Sequence, residues 1–148
     1  MMRRPADVNA PSRPQRGQAL AEFAMALPIL MLVIIAVFEA GAFTFTYMTL
    51  ESATQDGGRL AALPDTPDET TVKDYVVSRA AYAPVTLSST DVTVTVTGCS
   101  GSPCTYATRS SGARVRVVTN YNYQPILALV FGSGTTFALT ATTEYYVE

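Results

Sequence analysis

The sequence predicts an α+β protein, with a long N-terminal membrane helix and a short second helix packed on a three-stranded antiparallel sheet. Three observations lead there. Residues 23–38 run for 16 positions without a charge. The 46 residues from Gln18 to Leu63 hold one proline and are otherwise rich in helix formers. Beyond Pro84, three stretches alternate apolar and polar side chains with a period of two.

The first 15 residues (MMRRPADVNAPSRPQ) contain three prolines and no apolar periodicity, so they are expected to lack fixed structure. Residues 1–17 carry Arg3, Arg4, Arg13 and Arg16 against Asp7, a net charge of +3. The other 131 residues hold six basic and eleven acidic side chains, a net of −5. A basic flank ahead of an apolar run keeps the N-terminus cytoplasmic and exports the chain beyond the run. The acidic balance of the exported part argues against nucleic acid as a partner.

Residues 18–42 fit a membrane span, and lipid is the first partner they imply. Pro28 lies inside the run, where it frees the carbonyl of Ala24 and is expected to kink or locally melt the helix. From 43 to 63 the pattern becomes amphipathic. Phe43, Tyr47, Leu50, Ala53, Gly57 and Leu60 form one stripe, with Glu51, Thr54, Gln55 and Arg59 opposite. Pro64 stops the helix. The exported domain, 64–148, then opens with a turn-rich linker, PDTPDET. A second helix is predicted over 71–83, with Thr71 as N-cap and Val72, Tyr75, Val76 and Ala80 on one side.

Strands are predicted over 91–97, 113–123 and 137–147, each with one apolar and one polar face, so one side of the sheet is covered. The long helix is the expected cover. Between the last two strands, QPILALVFGSG reads as an apolar excursion that forms a turn of helix. Cys99 and Cys104, with four residues between them in an exported loop, are placed to close a small disulfide. Two thiols without histidine do not complete a zinc shell, so no metal is expected.

No catalytic constellation is found. The chain has no histidine, no Gly-rich phosphate loop and no metal-ligand spacing, and its acids are scattered. No enzyme activity and no cofactor are expected. Two acids at the edges of the apolar run remain. Glu22 and Glu39 are 17 residues apart, about 25 Å along a helix at ~1.5 Å per residue, near the ~30 Å hydrocarbon thickness. Both can therefore sit near the two interfaces. An intramembrane acid otherwise points to a functional pairing. If the chain is cut after Gly17, the new amine of Gln18 lies four residues from Glu22. Glu22 of a neighbouring copy could then neutralise that amine and set the stagger between packed helices.

A basic leader ending in Gly, a cut before an apolar helix and Glu at the fifth mature position resemble the type IV prepilin signature. The pattern is closer still to the TadE-like family of minor pilins or pseudopilins of tight-adherence (Tad/Flp) systems. It is met by Arg16-Gly17, Glu22-Phe23-Ala24, Leu27-Pro28 and Glu39-Ala40-Gly41. The family's Ala-x-x-Gly-Ala-Arg-x-Ala stretch resembles residues 53–61, with one residue extra and Gly58 in place of Ala. The C-terminal part matches in style only, through Val-rich strands and the step from Tyr121 to Pro125.

The resemblance implies a pilin-like fold and a leader, residues 1–17, removed by a prepilin peptidase that reads Arg16, Gly17 and Gln18. Glu22, Phe23, Pro28 and Glu39 would serve subunit pairing and assembly. The implied partners are pilin subunits and other pseudopilins, the peptidase and the assembly platform of the bacterial inner membrane. Two other readings fit the chain. One is a generic single-pass membrane protein with an exported binding domain. The other is a secreted domain behind a signal peptide cut at Ala40-Gly41-Ala42.

Overall fold

The computed structural model describes residues 16–65, 68–81, 85–126, 128, 132 and 134–148. It contains α1 (Arg16–Ala62), α2 (Glu69–Ala80), β1 (Val92–Thr97), β2 (Arg114–Tyr123) and β3 (Phe137–Tyr146). The chain divides into two compact units, residues 1–37 and 38–148.

In the first unit, residues 16–37 are helical and their apolar side chains, Leu20, Phe23, Met25, Ile29 and Val37 among them, are exposed. Exposed apolar surface stabilises a chain by roughly 25 cal/mol per Å² once it leaves water, so this segment suits lipid. Among the described residues, α1 is the one helix long and apolar enough to cross a membrane. It does not melt at Pro28: the helix runs through that residue unbroken. Residues 1–15, the expected unstructured leader, lie outside the described residues.

In the second unit the three strands form one antiparallel sheet in the order β1-β2-β3. The register places Val94 opposite Val117 and Val96 opposite Val115. Thr119 faces Ala141, and Tyr121 faces Leu139. Alternation then sends Val92, Val94, Val115, Val117, Thr119, Leu139 and Ala141 to the buried face. That face is covered by residues of α1 and α2. Leu50 packs with Tyr123, Leu139 and Ala141. Ala53 and Ala61 join Val72, Val76 and Ala80 of α2 over Val92, Val115 and Val117.

The buried positions of α1 are Thr46, Leu50, Ala53, Thr54, Gly57, Gly58, Ala61 and Ala62, a stripe with helical spacing. It differs from the expected one. Phe43 and Tyr47 are exposed, Leu60 is half-buried, and Thr54, expected on the outer side, is buried. Small residues and threonines fill the interface instead of aromatics. The Thr54 hydroxyl reaches the Leu50 carbonyl at 2.7 Å and shares a 2.9 Å hydrogen bond with the hydroxyl of Thr119. Satisfied in this way, a threonine can be buried at little cost.

Gly57 and Gly58 are wedged. A methyl on Gly57 would run into Val76 of α2, and one on Gly58 would come within 2.5 Å of Thr143 and 2.8 Å of Tyr145. Helix α1 ends against the Cys99–Cys104 loop. Arg109 donates to the Leu63 carbonyl at 3.1 Å and to the Tyr106 carbonyl at 2.8 Å, with its guanidinium 4.0 Å over the Tyr106 ring. A cation at the C-terminal carbonyls complements the helix dipole.

The second helix starts earlier than expected, and Asp68 rather than Thr71 is its N-cap. Asp68 accepts from the Thr71 N–H at 2.8 Å and from the Thr71 hydroxyl at 2.5 Å. These bonds hold the Asp68 carboxyl below its usual range. A carboxylate makes a stronger, charge-assisted cap than a hydroxyl, which moves the start upstream. The helix also ends earlier than expected, at Ala80, where the backbone N–H of the C-cap Ala81 donates to the Val77 carbonyl at 3.1 Å. Residues 82–84, and 127, 129–131 and 133 of the last excursion, lie outside the described residues.

Gly57→Ala gains about 1 kcal/mol in helix propensity but overpacks the contact with Val76, at a cost of about 1–3 kcal/mol. A net loss of stability is expected in denaturant titration of the full chain in detergent. A more stable variant would show that α2 does not press on α1 at this point.

Candidate functional site

The predicted processing and assembly residues lie along the first turns of α1. Gly17 is instructive. A methyl there would meet nothing within 4 Å, so packing does not require glycine. Glycine inside a helix costs about 1 kcal/mol relative to alanine. A residue that weakens the helix without a packing gain is available for another role. The Gln18 side chain donates to the Glu22 carboxylate at 3.1 Å, one turn on, so the acid already leans toward residue 18. Phe23 is exposed and Pro28 lies within the helix.

Glu39 is placed differently. Its carboxylate accepts the Tyr123 hydroxyl at 2.6 Å through one oxygen and the Ile126 backbone N–H at 2.9 Å through the other. One turn further on, the Phe43 ring meets the Tyr123 ring edge-to-face, with centroids 5.4 Å apart and planes at 84°. The acid is thus a clasp. It joins residues 38–62 of α1 to the end of β2 and to the start of the next excursion. Tyr123 is buried, and burial first, then its hydrogen bond to Glu39 and the nearby negative charge, push its pKa up to about 12. The sequence offered Glu39 a place at the membrane edge or a role in subunit pairing, and did not point to Tyr123. The signal that could have found this partner was present: a carboxylate beside an apolar run needs donors, and the Tyr121–Pro125 step supplies a phenol, with the Ile126 N–H just beyond it.

Cys99 and Cys104 form the expected disulfide, with Cα atoms 5.5 Å apart. Among the described residues no group of three or more His, Cys, Asp or Glu could hold a metal ion.

With this geometry in view, comparison with known families is specific. Residues 17–59 match the TadE-like protein family. The match begins at Gly17, takes in Glu22 and Glu39, and ends at Arg59, one residue past the wedged glycines. The TadE-like family is structural and pilus-associated, so the match points to a Tad pilus-related protein with pilin-type partners. The one apolar helix is compatible with single-pass anchoring in a membrane. No curated protein and no solved structure matches the chain.

Glu39→Gln keeps the side chain's size and removes its charge. It should lower the Tyr123 pKa from about 12 toward the ordinary value of 10. Because the folded-state value is raised, this tyrosine contributes stability that is fully present below pH 10 and lost as pH rises through about 12. In an alkaline titration followed by phenolate absorbance, Tyr123→Phe should lose the last tyrosine step and Glu39→Gln should move that step to lower pH, burial still holding it above the ordinary value. If the step stays at the same pH in Glu39→Gln, the clasp is not what holds Tyr123.

Proposed function

We propose that this chain is a minor pilin or pseudopilin-like structural protein that takes part in assembling a Tad/Flp-type adhesive pilus. The observation that carries this reading is the TadE-like match, which starts at the glycine that packing does not require and includes the acid five residues later. A prepilin peptidase cuts after Gly17, reading Arg16 and Gly17 on one side and Gln18 on the other. The chain sits in the bacterial inner membrane as a single span, N-terminus cytoplasmic and the C-terminal domain outside.

Cutting leaves Gln18 with an α-amino group of pKa about 8, protonated at neutral pH. A cation in a helix bundle surrounded by lipid needs an anion. Glu22 of an adjacent subunit supplies it, and the pairing fixes how far one helix is shifted along the next. Phe23 and Pro28 then shape the packed face. The partners are pilin subunits, other pseudopilins, the peptidase and the assembly platform.

The Glu39 clasp favours retention of α1 over a secreted domain cut after Ala42. Such a cut would discard Glu39 and leave the Tyr123 hydroxyl and the Ile126 N–H without their acceptor.

The pairing is tested by Glu22→Ala in a host that makes the pilus. The variant should be processed as efficiently as wild type, yet fail to restore pili to a strain lacking the gene. Normal pilus numbers would remove the pairing role from Glu22.

A further inference from the structure

Beyond Thr119 the second strand outruns the first. The pairing of β1 with β2 ends at Val92 opposite Thr119, and the chain before Val92 turns away in one short helical turn, Ser89–Asp91. The Val147 N–H donates to the Ala113 carbonyl at 2.9 Å, and the β2–β3 register continues from there without a bulge. Odd-numbered residues of β2 therefore direct their backbone groups to β3, and even-numbered ones direct theirs toward β1. Asn120 and Asn122 thus turn backbone N–H and C=O groups to a side where, among the described residues, no strand pairs with them.

That gap is a cleft of about 320 Å³, with Thr86 and Asp91 on one wall and Asn120, Tyr121, Asn122 and Gln124 on the other. Both walls come from the stretch 85–126, which is described without a break. Sites for small molecules begin at ~300 Å³, so the cleft has room for one small ring. Its polar groups are already oriented. Asp91 accepts the Ser88 N–H at 2.9 Å through Oδ2, which leaves Oδ1 as an acceptor. Asn120 accepts the Thr140 hydroxyl at 3.0 Å through Oδ1, which leaves its amide nitrogen as a donor. The exposed Asn122 and Gln124 amides make no hydrogen bond among the described residues. Tyr121 is half-buried and adds an aromatic surface.

This set of groups selects its ligand by chemistry. Each hydroxyl of a sugar ring both gives and accepts a hydrogen bond, so two neighbouring hydroxyls are met by one acceptor and one donor, here Asp91 and Asn120. The lining holds one acid and no base, which disfavours an anion. Calcium takes about 6–8 oxygen ligands, and among the described residues no group of three or more His, Cys, Asp or Glu could hold a metal ion. Strand addition by a peptide needs an open edge, and the turn at Ser89–Asp91 closes this one after two outward-facing residues.

We propose that this cleft binds a neutral saccharide, one ring of a surface glycan, with Asp91 and Asn120 on adjacent hydroxyls and Asn122 and Gln124 on further ones. The site deepens the adhesive reading and rests on the export of residues 64–148, since surface glycans are met only outside the cell. Binding is measured on the purified chain, so its failure is distinct from a failure to be processed or to assemble a pilus.

The test is an array of cellobiose-, maltose- and N-acetylglucosamine-type oligosaccharides set beside uronate- and sialate-terminated ones. It is probed with the full-length protein in lauryldimethylamine oxide, a detergent without sugar. Wild type should bind neutral glycans in preference to acidic ones. Asn122→Ala removes an exposed side chain, and Asp91→Asn keeps an oxygen for the Ser88 N–H while turning the remaining acceptor into a donor. Each should weaken binding about tenfold, the worth of one or two hydrogen bonds, with the thermal unfolding of wild type. Thr97→Ala, exposed at the far end of β1, should bind as wild type does. Undiminished binding by both Asn122→Ala and Asp91→Asn overturns the assignment to this cleft. A preference for acidic glycans, or no glycan bound by wild type, overturns the saccharide itself.

Discussion

One helix in this chain meets two environments, and Glu39 stands where they change. Before it lies an uncharged run suited to lipid, and after it lies a face packed on a sheet. A carboxylate at such a border must be satisfied or it destabilises both sides. Tyr123 and the Ile126 N–H satisfy it, and in doing so they fix the register between helix and sheet. The remaining contacts come at helical spacing: Phe43 on Tyr123, Leu50 under Leu139, Thr54 on Thr119, Gly58 against Tyr145. Moving the helix by one residue would break every one of them.

Close approach then dictates side-chain size. The helix carries alanine, threonine and glycine where it meets the sheet and α2, so backbones come near enough for Thr54 and Thr119 to share a hydrogen bond. Gly57 and Gly58 lower helix propensity, but each leaves space that another element already fills. The end of the helix is then fastened to the disulfide loop by Arg109. These fastenings hold α1 from Glu39 to its C-terminus, while residues 16–37 keep their apolar side chains exposed for another partner.

Much of this was legible in the sequence, and the misreadings have physical causes. The strands were visible because a half-covered sheet writes its period of two directly into Val and Thr. The buried stripe of α1 was displaced because hydrophobicity favours Phe43 and Tyr47, whereas the interface selects small volume. Thr54 looked polar and therefore exterior; its partners, the Leu50 carbonyl and Thr119, are not apparent from local pattern. The α2 cap was assigned to Thr71 because a hydroxyl three residues before an acid imitates a capping box, while the stronger acceptor, Asp68, lay just upstream. Sequence marks Glu22 and Glu39 as acids at the edges of an apolar run and gives Glu22 alone the pairing with the Gln18 amine. The fold separates them: Glu39 is occupied by the domain, whereas Glu22 is met, among the described residues, by the side chain of Gln18 on its own helix. In the proposed assembly, Glu22 is the acid that pairs with a neighbouring subunit.

The pilin reading turns on whether Gly17 is a processing site. The decisive quantity is the N-terminus and intact mass of the protein isolated from the membranes of its own host. A chain that begins at Gln18, with Arg16 and Gly17 gone, is the expected result. A chain that still begins at Met1 or Met2 would contradict the reading and leave a membrane anchor with pilin-like sequence. One that begins at Phe43 would contradict it more deeply, because Glu39 would have been discarded with the span.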